Sequence, residues 1–144
     1  VHVLHDTKIV LVGMNIDAGI GEADSDAVNC AGFGGVTFVV VMGTMDPTAT
    51  CQIGAQMSQD NGNVDSFTSI AGSKLNLVDT QGDKVFLIDV REPLEKWVRA
   101  HWSILHANAQ IQCVLAILHS PRSSPTDVDV SVGARVSVAS APAE

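Results

Sequence analysis

The chain has 144 residues, 8 of them basic and 16 acidic, for a net charge of -8. Its length suits one domain with a core of its own, and its charge repels phosphate backbones, which excludes nucleic acid as an expected partner. The longest apolar stretch, Val36 to Met42, is too short to cross a bilayer, and the opening VHVLHDTK has no basic run leading into an apolar segment, so neither a membrane span nor a secretory leader is expected.

Taken in chain order, the residues favour strands: many Val and Ile, twelve Gly, and turn clusters at short intervals. Lys8 to Asp17 (KIVLVGMNID) reads as a first strand. The segment GIGEADSD then reads as an acidic loop. Gly34 to Gly43 (GGVTFVVVMG) is nearly continuous in its apolarity, as in a strand covered on both faces. Thr50 to Ser58 alternates, with Cys51, Ile53, Ala55 and Met57 on one face and Gln52, Gln56 and Ser58 on the other. The following QDNGN contains Asn61-Gly62, suited to a tight reversal. Lys84 to Val90 (KVFLIDV) is another strand, with Phe86, Ile88 and Val90 sharing a face.

Residues 92–105 carry two readings. Leu94, Trp97, Val98, His101, Trp102 and Leu105 fall at helical spacing, with Pro93 as a first helical residue. The alternative is a hairpin pairing Lys96–Ala107 with Gln110–His119 across Asn108-Ala109. In that register Val98, Ala100, Trp102 and Ile104 face Cys113, Leu115 and Ile117. The opposite face then carries Trp97, Arg99, His101, Leu105, Val114, Ala116 and Leu118. It is too apolar to meet water alone, so a second sheet or a neighbouring subunit must cover it. After His119 the composition changes. SPRSSPT is a linker, and Asp127 to Val138 (DVDVSVGARVSV) alternates Val with polar residues but has little core of its own. Spacing of apolar runs and turn signals together predicts an all-β fold, an antiparallel two-sheet sandwich of jelly-roll topology with minor helix.

No constellation carries catalysis. Among His2, His5, His101, His106 and His119 there is no H-x-H pair of the kind a cupin metal site uses, and His101 and His106 fall on opposite faces of a strand. Asp17, Glu22, Asp24 and Asp26 lack the late bidentate Glu of a calcium loop. The hydroxyls in Asp65-Ser66 and Asp79-Thr80 belong to turns, and Gly32–Gly35 precedes a strand rather than a phosphate-binding helix. Cys30, Cys51 and Cys113 are odd in number, unpaired by spacing and set in apolar surroundings, as expected of free buried thiols. No enzyme activity, cofactor or metal is expected. Trp97 beside His101 on one exposed strand face would suit sugar stacking, the basis of an alternative reading as a carbohydrate-binding module.

The order of segments carries a resemblance. An opening apolar strand is followed by G-F-G-x-V-T-F-V-V, a polar strand ending in M-S-Q-D-N-G-N, then F-L-I-D-V-R, K-W-V-R, and an Ala/Leu/Ile strand running into SPRSSP. From Lys8 to Pro125 this resembles the small jelly-roll decoration, or cement, proteins of tailed bacteriophages. The resemblance implies that residues 92–105 hold a strand, and that 1–7 form an N-terminal arm, 8–120 the jelly roll and 121–144 a linker with an extended C-terminal arm. It further implies a virion structural protein, made in the host cytoplasm and sitting on the capsid surface. Its partners would be the major capsid protein and itself, as a homotrimer. Trp97, Val114, Ala116 and Leu118 are the expected interface. Val128, Val130 and Val132 would be buried when the tail adds to a neighbour's sheet edge.

Overall fold

The computed structural model describes residues 3–124 and 126–138. After one helical turn, α1 (Val3–Asp6), the chain is built almost wholly of strands: β1 (Thr7–Ala18), β2 (Gly21–Asp24), β3 (Val28–Asn29), β4 (Phe33–Met45), β5 (Thr50–Ser58), β6 (Thr68–Ser69), β7 (Leu75–Val78), β8 (Val85–Arg91), β9 (Trp97–Leu105) and β10 (Ala109–Pro121). They form an antiparallel two-sheet sandwich. Sheet A runs β1-β10-β4-β8; sheet B runs β2-β9-β5-β6, with β3 also on β9 and β7 also on β5. From β4 onward the long strands alternate between the sheets, with β4, β8 and β10 in sheet A and β5 and β9 in sheet B, so these consecutive long strands lie across the core from one another rather than side by side.

Period-two alternation explains the core. In β4, Val36, Phe38, Val40 and Met42 point inward and are fully buried. They meet Cys51, Ile53 and Ala55 of β5 and Val98, Ala100, Trp102 and Ile104 of β9. Each Val, Ile, Phe or Met among them, fully buried, contributes roughly 1.5–3 kcal/mol relative to exposure. Two turns show why their residues stand where they do. Asn61 and Gly62 both have positive φ, 61° and 78°, as a tight reversal requires. At Gly35 a Cβ would lie 2.5 Å from the Val90 carbonyl oxygen and 2.7 Å from the His119 ring, so only glycine lets these three strands approach.

Three expectations need correction. Residues 97–105 are a strand, as the resemblance implied against the helical spacing, but it is not paired with β10. β9 pairs β5 and β2, whereas β10 lies between β1 and β4. The segment around Asn108 crosses from one sheet to the other, and that crossing brings two apolar alternations into one core instead of leaving one of them outside. The acidic segment is also not all loop: Gly21–Asp24 is the edge strand of sheet B. Every residue of it is exposed, so it carries no apolar signal. Finally, the described part of the C-terminal arm does not extend away from the body. Thr126 donates its N–H to the His5 carbonyl at 2.8 Å, and the Leu11 N–H donates to Ser131 Oγ at 2.9 Å, which lays the tail beside β1. Expectations about Val1, His2, Pro125 and residues 139–144 fall outside the described residues.

Candidate interaction surface

The sequence-predicted interface divides sharply. Val114, Ala116 and Leu118 are not on an outer face; they are buried at 0%, 0% and 1% exposure within the chain's own core. β10 is apolar on both faces, so its alternation alone did not say which set points inward, and a slip of one residue exchanges the two sets. The outward set is Cys113, Leu115, Ile117 and His119, all half-buried. Trp97 does lie on the outer row of β9 with Arg99 and His101, as expected of the strand reading. It is half-buried and lines a cleft of about 250 Å³ with Val10, Leu118 and Asp129. Val128 and Val130 are exposed and Val132 half-buried, and none of them is in a strand.

Strand register builds a surface that no single segment reveals. Across sheet A, Leu11 pairs Leu115, Leu115 pairs Val39, and Val39 pairs Leu87. The next outward row is Met14, Cys113, Val41 and Val85. On the other side of the leucine row come Ile9, Ile117, Thr37 and Asp89, and beyond them Thr7, His119, Gly35 and Arg91. The outer face of sheet A is thus apolar across all four strands and turns polar at one end. Strands ~4.8 Å apart and outward rows ~6.8 Å apart give these three rows, apolar but for Thr37 and Asp89, a footprint of about 400 Å². Met14, Val85 and Leu87 stand out furthest, at 61%, 56% and 60% exposure. β4 read as a strand covered on both faces; within this chain its outward Val39 and Val41 are only half-covered by neighbouring side chains.

The polar end is ordered by hydrogen bonds. His119 Nε2 lies 3.0 Å from Asp89 Oδ1, and Thr37 Oγ1 donates to the same oxygen at 2.8 Å. Burial pushes the Asp89 carboxyl up, but the bonds from Thr37 and His119, with Arg91 nearby, outweigh it and hold it below the ordinary carboxylate value. His119 Nδ1 is 3.5 Å from Ser120 Oγ, at the limit of a hydrogen bond. Asp89, His119 and Ser120 line an open cleft of about 580 Å³ together with Ile70 to Ser73.

The outer face of sheet B is different in kind. Gln52, Gln56, Arg99, His101 and Ser103 occupy it, tied to the edge strand by ion pairs. Asp24 Oδ1 is 2.6 Å from His101 Nδ1, and Asp24 Oδ2 is 3.4 Å from Arg99 Nη2. Arg99 also donates from Nε to Gln56 Oε1 at 2.9 Å, and its guanidinium lies 4.0 Å from the Phe67 ring centre. The three cysteines are free thiols. Burial pushes Cys30 up to about 12 and Cys51 up to about 11. Among the described residues no group of three or more His, Cys, Asp or Glu side chains is arranged to hold a metal ion, and no helix is long and apolar enough to cross a membrane.

No family model matches the chain, and no curated protein matches it. Among solved structures it is similar to dimeric latent PorU from Porphyromonas gingivalis, at 9% sequence identity and a TM-score of 0.42. That similarity covers 81% of this chain but 13% of the other, a likeness too distant to bear on function.

Proposed function

We propose that the chain is a structural subunit of a larger protein assembly and, within that class, a decoration subunit on the outside of a tailed-phage capsid that stabilises the shell by binding the major capsid protein. The observation that carries this reading is the outer face of sheet A: apolar across four strands on a body with a net charge of -8. An apolar face of that size on an acidic body favours a protein partner over solvent. A capsid subunit with basic residues around an apolar centre would match an apolar face set on so acidic a body. The footprint is about half of the ~800 Å² that one partner contributes to a stable interface. A contact that small suits a protein held on a lattice by many repeated attachments. The strand orders of the two sheets, β1-β10-β4-β8 and β2-β9-β5-β6, support reading the sandwich as a jelly roll. The homotrimeric state comes from the resemblance alone.

The test is where the protein resides. Purified phage particles from the source lysate should contain the chain in stoichiometric amounts by mass spectrometry, and gold-labelled antibody should mark the head. Label confined to soluble host fractions, or to the tail tip, would refute capsid decoration. A second reading, carbohydrate binding, is favoured by the polar face of sheet B with Trp97 at its end. Saturable binding on a glycan array that His101→Ala abolishes would select it.

A further inference from the structure

We propose that the C-terminal segment is exchangeable between copies of this chain, so that the β1 edge of one molecule receives the tail of another and links them into a homo-oligomer. The inference does not rest on the capsid reading.

β1 is the free edge of sheet A, because β10 covers only its other side. Free edges present unpaired backbone groups that must be met by something. Here the tail meets them, and mainly with side chains. Thr126 Oγ1 donates to the Thr7 carbonyl oxygen, and Ser131 Oγ accepts the Leu11 N–H. Asp129 holds that serine in place, accepting its hydroxyl at 2.7 Å and its N–H at 3.0 Å. Lys8 Nζ and Asp127 Oδ2 are 3.2 Å apart, and Arg135 Nη1 donates to the Leu4 carbonyl at 2.6 Å. From Thr126 beside Thr7 to Ser131 beside Leu11, the tail runs parallel to β1.

Three features make this strap one that can be traded. First, its named contacts all go to residues 4–11, and among the described residues the core contains nothing beyond Leu118. The core of the body therefore loses no side chain when the tail leaves. Second, the tail is joined to Pro121, the last residue of β10, by the short polar segment Arg122-Ser-Ser; Pro121 has no N–H to give to the ladder, and Ser120 just before it has φ 53°. Third, the tail's own apolar residues stay uncovered in the single chain: Val130 is fully exposed and Val136 and Val138 are 78% and 80% exposed. An exchanged tail makes the same bonds to β1 that it makes at home, so exchange sacrifices nothing there, and juxtaposed copies can shelter those valines. Identical contacts made within or between chains are the condition for domain swapping.

The test uses full-length chains with Cys113→Ser, leaving only the buried Cys30 and Cys51. One carries Lys8→Cys and the other Asp127→Cys. The two are unfolded together, co-refolded at high protein concentration and treated with a short bismaleimide. The ion pair lost is exposed and contributes little, so both variants keep the other tail bonds. The expected product is a covalent dimer containing one chain of each kind, absent when either variant is refolded alone. A chain bearing both cysteines should shift from a looped monomer at low concentration to covalent oligomers at high concentration. If the mixture gives no mixed dimer while the double variant gives only looped monomer at every concentration, the tail serves its own chain alone and the proposal fails.

Discussion

Leu87 offers the cleanest probe of the sheet A face. It lies on edge strand β8 and ends the leucine row, with 60% of its surface exposed. Full burial of a leucine side chain is worth ~2 kcal/mol, so docking stands to gain roughly 1.2 kcal/mol from the part still in water. Leu87→Ser removes that gain, which corresponds to a loss of about eightfold in affinity for each contact. The fold should survive, because little of this side chain is in the core; a change in unfolding free energy within about 1 kcal/mol is expected. The control is Val78→Ser, at 48% exposure on sheet B. Phage heads stripped of accessory proteins would be pelleted with each variant over a concentration series, and chemical denaturation would check stability. The expected result is a midpoint raised about eightfold for Leu87→Ser and unchanged for Val78→Ser. Equal binding by Leu87→Ser and the parent, with both fully folded, would show that this face docks nothing on the shell.

Other consequences of the structure can be checked with the isolated protein. Burial raises the Glu95 carboxyl above its ordinary value, and Asp65 beside it adds to the effect. A raised folded value means stability is lost as pH rises through it, so Glu95→Gln should raise the melting temperature at pH 7, with the gap closing below about pH 4; an unchanged or lower melting temperature at pH 7 would contradict the assignment. The Trp102 ring is buried at 1% exposure, and its indole N–H has no hydrogen-bond partner among the described residues. Trp102→Phe removes that orphan donor while leaving a small cavity, and should cost under ~2 kcal/mol, against ~3–5 for Trp102→Ala; equal losses in chemical denaturation would speak against an unsatisfied donor. Cys30 and Cys51, held as thiols by burial, should resist iodoacetamide at pH 8 in the folded protein, with the half-buried Cys113 labelled first by peptide mass mapping.

Strands whose two faces differ were legible in the sequence. Alternation predicted β5 at its observed limits, Thr50–Ser58, and β8 within a residue. Strands with uniform faces were legible only in part: β4 and β10 read as strands, but which of their sets points inward could not be read. β2 is polar throughout because it is an exposed edge, and it hid inside an acidic segment that looked like a loop. β10 is apolar on both faces from Cys113 to Leu118 because it is central to sheet A, so its inward and outward sets were interchanged. Periodicity along one strand holds no information about which sheet the strand joins. The apolar outer face of sheet A was half visible for the same reason. An excess of apolar residues beyond what one core needs was plain, but the rows that gather it are drawn by pairings between residues some 100 apart, such as Leu11 with Leu115.

The seating of β10 between β1 and β4 also fixes the order of events during synthesis. Until Pro121 has left the ribosome, sheet A lacks the strand that joins its first member to its third, and Val36 to Met42 has no completed sheet to enter. Pairings of such long range close slowly, on a timescale of roughly milliseconds to seconds. During that interval a seven-residue run of β-formers without charge or proline is open to other nascent chains. Yield of soluble protein should therefore depend on translation rate and temperature more than on the stability of the finished sandwich.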